Sequence, residues 1–135
     1  MTVAYGTGEP SGFASMVGGL IDQNLERDHT RRRLLRPSSA TLTAPDAGVA
    51  VTVRTGVGSV EVRDGEDPAA HIAITADSDR LLGLTTAPLR FGLPDPFDAR
   101  GRVVLRDVLS GRIRIRGMLT HPRRLARLSS LLSVA

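Results

Sequence analysis

The sequence predicts an α+β domain built from half-buried strands and amphipathic helices. The run Gly111-Arg112-Ile113-Arg114-Ile115-Arg116-Gly117 alternates apolar and charged residues, which is typical of a strand with one buried face. Pro122 then suits the first turn of a helix, in which leucines recur at helical spacing: Leu125, Leu128, Leu131 and Leu132. With 135 residues and 41% hydrophobic content, the chain is long enough to bury one core.

The amino-terminal part predicts a flexible leader followed by a helix. Residues 1–12 carry three glycines and a proline without a periodic apolar pattern, so we assign them to a leader and residues 13–135 to the domain. From Phe13 to Leu25 the apolar residues follow helical spacing, which predicts an amphipathic helix. A short helical turn is predicted around residues 30–35, and Pro37 ends it.

The middle of the chain predicts three antiparallel strands joined as a meander. Valines alternate with other residues from Val49 to Val53, and Gly56-Val57-Gly58 turns the chain into a second strand at Val60–Arg63. Asp64-Gly65 supplies the next turn. A third strand contains Ile72 and Ile74 and ends at Ala76.

A capped helix and an unusually apolar segment come next. Asp77 or Ser78 can cap a helix that contains Leu81, Leu82 and Leu84. The segment from Thr85 to Arg100 has three prolines among large apolar residues and is predicted to be irregular. Gly101–Leu109 is compatible with a helix or a strand, because its apolar residues are too clustered to show one period.

The order of these elements resembles the sterol carrier protein type-two family of lipid-binding domains, from Phe13 to Val134. The motifs that carry the resemblance are Asp64-Gly65, the run Ile72–Asp77 leading into Leu81-Leu82, and the run Leu109–Gly117. The resemblance implies a single-domain mixed sheet of about five strands, covered by helices that leave an apolar tunnel for fatty acyl chains, sterols or other lipids. Ala70 and His71 stand where the family often has an acidic residue, and the proline-rich Thr85–Arg100 segment is a second departure.

Composition excludes several kinds of chemistry. Cysteine is absent, which removes thiol catalysis, disulfides and thiolate metal sites. All 18 basic residues are arginine, so lysine-dependent catalysis is also removed. His29, His71 and His121 lack a metal-ligand spacing and are predicted to be structural. We therefore expect no enzyme, no cofactor and no metal.

Charge and aromatic content narrow the classes of partner. Only 3% of residues are aromatic, Trp is absent and the net charge is +4, so nucleic acid is not expected as a partner. The arginines at 112, 114 and 116 are expected to pair with acids on neighbouring strands. Exclusive use of arginine indicates GC-rich coding and a bacterial origin. Without a signal peptide or an apolar run of about 20 residues, we expect a cytoplasmic protein with at most peripheral membrane contact.

The apolar segment carries the functional prediction, because it lies between helices, where ligand cavities form. The predicted ligand contacts are Leu81, Leu82, Leu89, Phe91, Leu93, Phe97, Val104 and Val108. Arg90 and Arg100 are the predicted headgroup contacts. The expected function is non-catalytic binding or carriage of an apolar small molecule, such as a fatty acyl, sterol or isoprenoid lipid.

The alternative is an interaction module whose cavity is filled by its own side chains and whose apolar segment contacts another protein or a second copy. A small hydrolase or isomerase is disfavoured, because no acid, base or nucleophile converges in the sequence.

Overall fold

The protein forms a mixed sheet with helices against one face. Its computed structural model describes residues 3–5, 11–86, 89–90 and 93–133. The strands are β1 (Ala4–Tyr5), β2 (Ser38–Ala44), β3 (Val49–Gly56), β4 (Ser59–Asp64), β5 (Ile72–Thr75), β6 (Leu89–Arg90), β7 (Leu93–Pro94) and β8 (Arg114–Arg116). The helices are α1 (Gly12–Arg27), α2 (Ser78–Thr86), α3 (Ala99–Leu109) and α4 (Pro122–Leu132), with short 3-10 helices at His29–Leu34 and Pro45–Ala47.

Six strands form the main sheet in the order β1-β4-β3-β2-β5-β8. Strands β2, β3 and β4 are antiparallel, β5 runs parallel to β2, and β8 runs antiparallel to β5. Strands β6 and β7 pair only with each other. The predicted α+β class with a mixed sheet covered by helices is confirmed, and the sheet has six strands where about five were expected.

The predicted meander is wrong in one respect. Strand β5 does not follow β4 at the sheet edge but pairs with β2, with Ala40 opposite Ile72 and Thr43 opposite Thr75. The sequence analysis did not predict β2, because its serines, threonines and alanines give a weak strand signal. The true meander is therefore β2-β3-β4, and β5 reaches the other side of β2 by a crossover.

Part of the predicted leader belongs to the fold. Strand β1 pairs in parallel with β4, and the Val3 side chain is buried in the core. The Val3 backbone N–H donates to Asp22 Oδ1 of α1 at 3.0 Å, which ties this strand to the first helix. Residues 6–10 lie outside the described part of the chain.

Two helices cover the apolar face of the sheet. Ile21 and Leu25 of α1 and Leu131 of α4 are fully buried in one core with the sheet's valines and isoleucines. Asn24 Nδ2 donates to the carbonyl of Leu131 at 2.9 Å, so a buried amide links α1 to α4. The opposite face is polar, and there the Thr41 and Thr52 hydroxyls lie 3.0 Å apart on neighbouring strands.

The remaining element predictions are largely confirmed. Helices α1 and α4 form as expected, and Gly101–Leu109 belongs to a helix. Ile113 is buried and Ile115 half-buried, while the arginines between and beside them are exposed. The predicted irregular segment instead contains the end of α2 and the β6-β7 pair. Among the described residues, no helix is long and apolar enough to cross a membrane.

Gly117, directly after β8, lies close to the backbone of His71, directly before β5. Its φ is +90°, a backbone conformation that residues other than glycine rarely adopt. A Cβ atom there would also collide with the backbone carbonyl of His71. The turn after β8 therefore requires glycine for two separate reasons.

We expect Gly117→Ala to lower the free energy of unfolding by about 3 kcal/mol, since both backbone strain and overpacking oppose it. The matched control is Gly65→Ala, because Gly65 has a φ of +99° but open space around its missing Cβ. That control is expected to lose only about 1–2 kcal/mol, from backbone strain alone. Urea denaturation measures both values, and equal losses would contradict the close approach.

Candidate functional site

A cleft of about 550 Å³ lies between α2 and α3. Most of its lining is charged: Asp77, Asp79, Arg80, Arg100, Arg106, Asp107 and Arg112. Gly83, Val103 and Val104 complete it. This volume is in the range of small-molecule sites, and the charged lining differs from the apolar cavity that the sequence predicts.

The start of α2 is fixed at the carboxyl end of β5. Asp77 Oδ1 accepts the backbone N–H of Arg80 at 2.9 Å, so Asp77 caps the helix as predicted. The next residue is anchored to the loop after β2, because Asp46 accepts both the backbone N–H of Ser78 at 3.0 Å and its hydroxyl at 2.9 Å. These bonds hold one wall of the cleft against the sheet.

Arg80 joins the two walls of the cleft. Its guanidinium forms an ion pair with Asp77, and its Nε lies 3.5 Å from Asp107 Oδ2 on α3. Burial works to lower the pKa of Arg80, but the Asp77 and Asp107 carboxylates together raise it. The pKa of Asp77 lies below its usual value, mainly because the carboxylate accepts the backbone N–H of Arg80. The Arg80 guanidinium lowers this pKa further.

Asp107 also shapes the chain that follows α3. Its side chain is buried, and its carbonyl accepts the backbone N–H groups of Arg112 at 2.9 Å and Ile113 at 3.0 Å. These two bonds end α3 and bring Arg112 to the cleft.

The amino-terminal end of α3 is held in a similar way. Asp98 Oδ1 accepts the backbone N–H of Arg100 at 2.8 Å and so caps the helix. Gly101 allows the Asp95 carbonyl to lie directly on the helix, where a Cβ atom would collide with it. The Arg100 side chain is mostly exposed, with its Nε 3.4 Å from Asp98 Oδ1.

The charged side chains of the described lining are partly paired with one another. Among the described residues of the lining, two of the three carboxylates are paired with Arg80. No group of three or more metal-binding side chains occurs in the described ranges. The arginines supply donors for an anion, and Val103 and Val104 supply the apolar part.

The structure places the predicted contact residues in several environments. Val104 and Arg100 line the cleft. Leu81 is buried in the core and Val108 packs against it, while Leu82 and Phe97 are exposed. Phe91, and the side chains of Leu89, Arg90 and Leu93, lie outside the described part. The assignment of these residues as ligand contacts stays a prediction.

The contact that joins the two walls of the cleft was not predicted from the sequence. Arg80 lies three positions after Asp77, a spacing that indicates an ion pair on a helix, but nothing in the sequence links it to Asp107. The arginine stripe was expected to pair with acids on neighbouring strands. Instead Arg116 Nη2 donates to the carbonyl of Ala70 at 2.9 Å, and Arg112 faces the cleft.

Replacing Asp77 with asparagine keeps a helix cap but removes the charge beside Arg80. Since the folded pKa of Asp77 is below its usual value of 3.8, its charge stabilises the fold above that pH and the benefit is lost as the pH falls through the folded pKa. We expect the melting temperature of Asp77→Asn to lie below that of the wild type at about pH 6 and to converge with it at about pH 2. Asp79→Asn is the control, and a gap that persists in acid would contradict the prediction.

Comparison with known proteins supports the resemblance found in the sequence. No family model matches the chain, and no curated protein matches it. A solved structure described as UbiJ-SCP2, a ubiquinone synthesis protein, is similar to 89% of this chain and 92% of its own, with a TM-score of 0.61 and 14% identity. A solution structure from Thermus thermophilus, whose description links it with sterol carrier proteins, matches 99% of this chain and 96% of its own, with a TM-score of 0.48 and 15% identity. The chain therefore has the sterol carrier protein type-two fold.

Proposed function

We propose that the protein binds an amphiphilic small molecule with an apolar tail and an anionic or strongly polar head, and carries or presents it without chemical conversion. The observation that carries this proposal is the cleft between α2 and α3, which combines arginines with an apolar strip at Val103 and Val104. The sterol carrier protein type-two fold supports lipid binding or carriage in general.

The charge distribution of the cleft favours a ligand with an anionic head. Arg80 is compensated by Asp77 and Asp107, whereas Arg106 and Arg112 belong to no ion pair among the described residues. An anionic head would supply the missing acceptors. A tail would add about 0.8 kcal/mol for each methylene removed from water, before ordering costs are subtracted.

A second candidate function is protein interaction, which one observation favours. Large apolar side chains are exposed on or beside the helices of the cleft, namely Leu82, Phe97, Val103 and Leu109. Exposed apolar side chains of this size mark docking surfaces when they form a contiguous patch. A solution mass that rises with protein concentration, without any bound small molecule, would favour this candidate.

Filling the cleft tests where the ligand binds. A Cβ atom at Gly83 meets nothing within 4 Å, so Gly83→Leu places a side chain in the cleft without a backbone collision. We expect this variant to fold and to lose at least about tenfold in affinity for whichever fatty acid, sterol or quinone the wild type binds best. Isothermal titration measures the affinities.

Gly19→Leu is the matched control, because Gly19 also lies in a helix with open space around its missing Cβ but on α1, away from the cleft. It is expected to bind as the wild type does. Equal affinity in Gly83→Leu and Gly19→Leu would remove the cleft as the binding site.

The headgroup contact is tested at Arg100. We expect Arg100→Ala to weaken binding of a fatty acid about threefold to tenfold, because an exposed arginine contributes modestly to holding a carboxylate. Arg102→Ala removes a neighbouring exposed arginine outside the cleft and should leave the affinity unchanged. The methyl ester of the same fatty acid should not distinguish the two variants, and unchanged fatty-acid affinity in Arg100→Ala would exclude this contact.

A further inference from the structure

A second concentration of basic side chains lies away from the charged cleft, at the opposite end of β5. Strands β2 and β5 both begin at this end of the sheet, and β8 finishes there. The chain therefore brings together Arg36, which precedes β2, His71, which precedes β5, and the start of α4. We call the group formed by Arg36, His71, His121, Arg123, Arg124 and Arg127 the basic cluster.

Hydrogen bonds fix the two histidines of the basic cluster. His71 Nδ1 accepts the backbone N–H of Ser39 at 3.1 Å. His121 Nδ1 lies 3.2 Å from Arg124 Nη1, and since arginine can only donate, Nδ1 is the acceptor. The two rings meet edge to face with centroids 5.2 Å apart. Since Nδ1 accepts in both rings, each ring carries its proton on Nε2. The Nε2–H groups take no part in these bonds and can donate to another acceptor.

Two arginines of the basic cluster hold buried donors without acceptors. The Nε atoms of Arg124 and Arg127 are inaccessible to solvent and have no hydrogen-bond partner within the described chain. Buried donors are nearly always paired, so two such atoms on successive turns of one helix indicate a missing acceptor.

The charged groups that shift the pKa of Arg127 in the described part of the chain are all arginines. Burial lowers the pKa of Arg127, and Arg124, Arg36 and Arg123 lower it further. Burial, Arg124 and His121 likewise lower the pKa of His71. The salt bridges of the described residues leave out every arginine of the cluster. Within that part of the chain, positive charge is thus gathered here without an ion-paired carboxylate.

The start of α4 adds to this positive field. His121 occupies the cap position but makes no side-chain capping bond, and Pro122 follows it. The first backbone N–H groups of this 11-residue helix therefore lack a side-chain acceptor, and the helix dipole favours an anion at that end.

We propose that the basic cluster binds the phosphate or diphosphate group of a small ligand. A multiply charged tetrahedral anion matches several converging donors better than a carboxylate does, because it offers three oxygens in different directions. Its oxygens would accept from the partly exposed guanidinium groups of Arg124 and Arg127, whose Nε–H groups become reachable when these side chains turn toward the ligand. The proposal stands apart from the cleft and does not depend on the function proposed for it.

The test is calorimetric titration of the full chain in phosphate-free buffer. The probes are inorganic diphosphate, methyl phosphate, decyl phosphate and acetate. We expect saturable one-to-one binding of diphosphate, weaker binding of methyl phosphate and none of acetate. Tighter binding of decyl than of methyl phosphate would assign the site to a lipid headgroup, and equal binding would assign it to free phosphate compounds.

Variants separate a binding role from a structural one. Arg127→Met and Arg127→Lys are each expected to lower diphosphate affinity about tenfold, because lysine keeps the charge but lacks the Nε–H donor. Arg102→Met is the matched control and should bind as the wild type does. Without ligand, Arg127→Met should melt at a higher temperature than the wild type, because it relieves repulsion among like charges.

Diphosphate should raise the melting temperature of the wild type and of Arg102→Met but not of Arg127→Met. Absence of saturable diphosphate binding to the wild type would overturn the proposal. So would an Arg127→Met variant that melts lower than the wild type and binds diphosphate equally well, since that pair of results identifies a structural arginine.

Discussion

The parallel pairing of β2 with β5 determines where both charged regions of the molecule lie. It places β5 between β2 and β8. Because the two strands are parallel, the chain enters β5 at the end of the sheet where β2 begins and leaves it at the end where β2 finishes. At the carboxyl end of β5, Asp77 caps α2 and Arg80 connects that helix to Asp107 of α3, which produces the cleft. At the amino end of β5, the ring of His71 contacts the ring of His121 at the start of α4.

The two regions differ in how their charges are balanced. In the cleft, one arginine is held between two carboxylates, so the ion pairs there can maintain the wall geometry without a ligand. In the basic cluster, the buried Nε donors of Arg124 and Arg127 have no acceptor among the described residues, and other arginines lie close enough to Arg127 to lower its pKa. Such an arrangement costs stability in the free protein, and proteins commonly accept that cost where a ligand supplies the missing charge. The cleft is thus a preformed space, whereas the cluster is a set of donors whose acceptors are missing from the described chain.

Local patterns were sufficient to predict α1, α4 and the buried face of Ile113 and Ile115, because amphipathic periodicity reports burial directly. They failed at β2, whose small and hydroxyl-bearing residues give little strand signal. The position of β5 was also missed, since alternation shows that a strand exists but not which neighbour it pairs with. The cleft depends on contacts such as Arg80 with Asp107, which join residues on different helices and leave no periodic trace in the sequence.

The function that we propose for this fold is to hold a small amphiphile without converting it. Native mass spectrometry of the freshly purified protein, followed by denaturation and identification of any released molecule, tests that claim most directly. We expect a discrete adduct of a few hundred daltons that is released unchanged on denaturation, or stoichiometric uptake of one member of a mixture of fatty acids, sterols and quinones. A mass equal to that of the bare chain, with no uptake from the mixture, would contradict it.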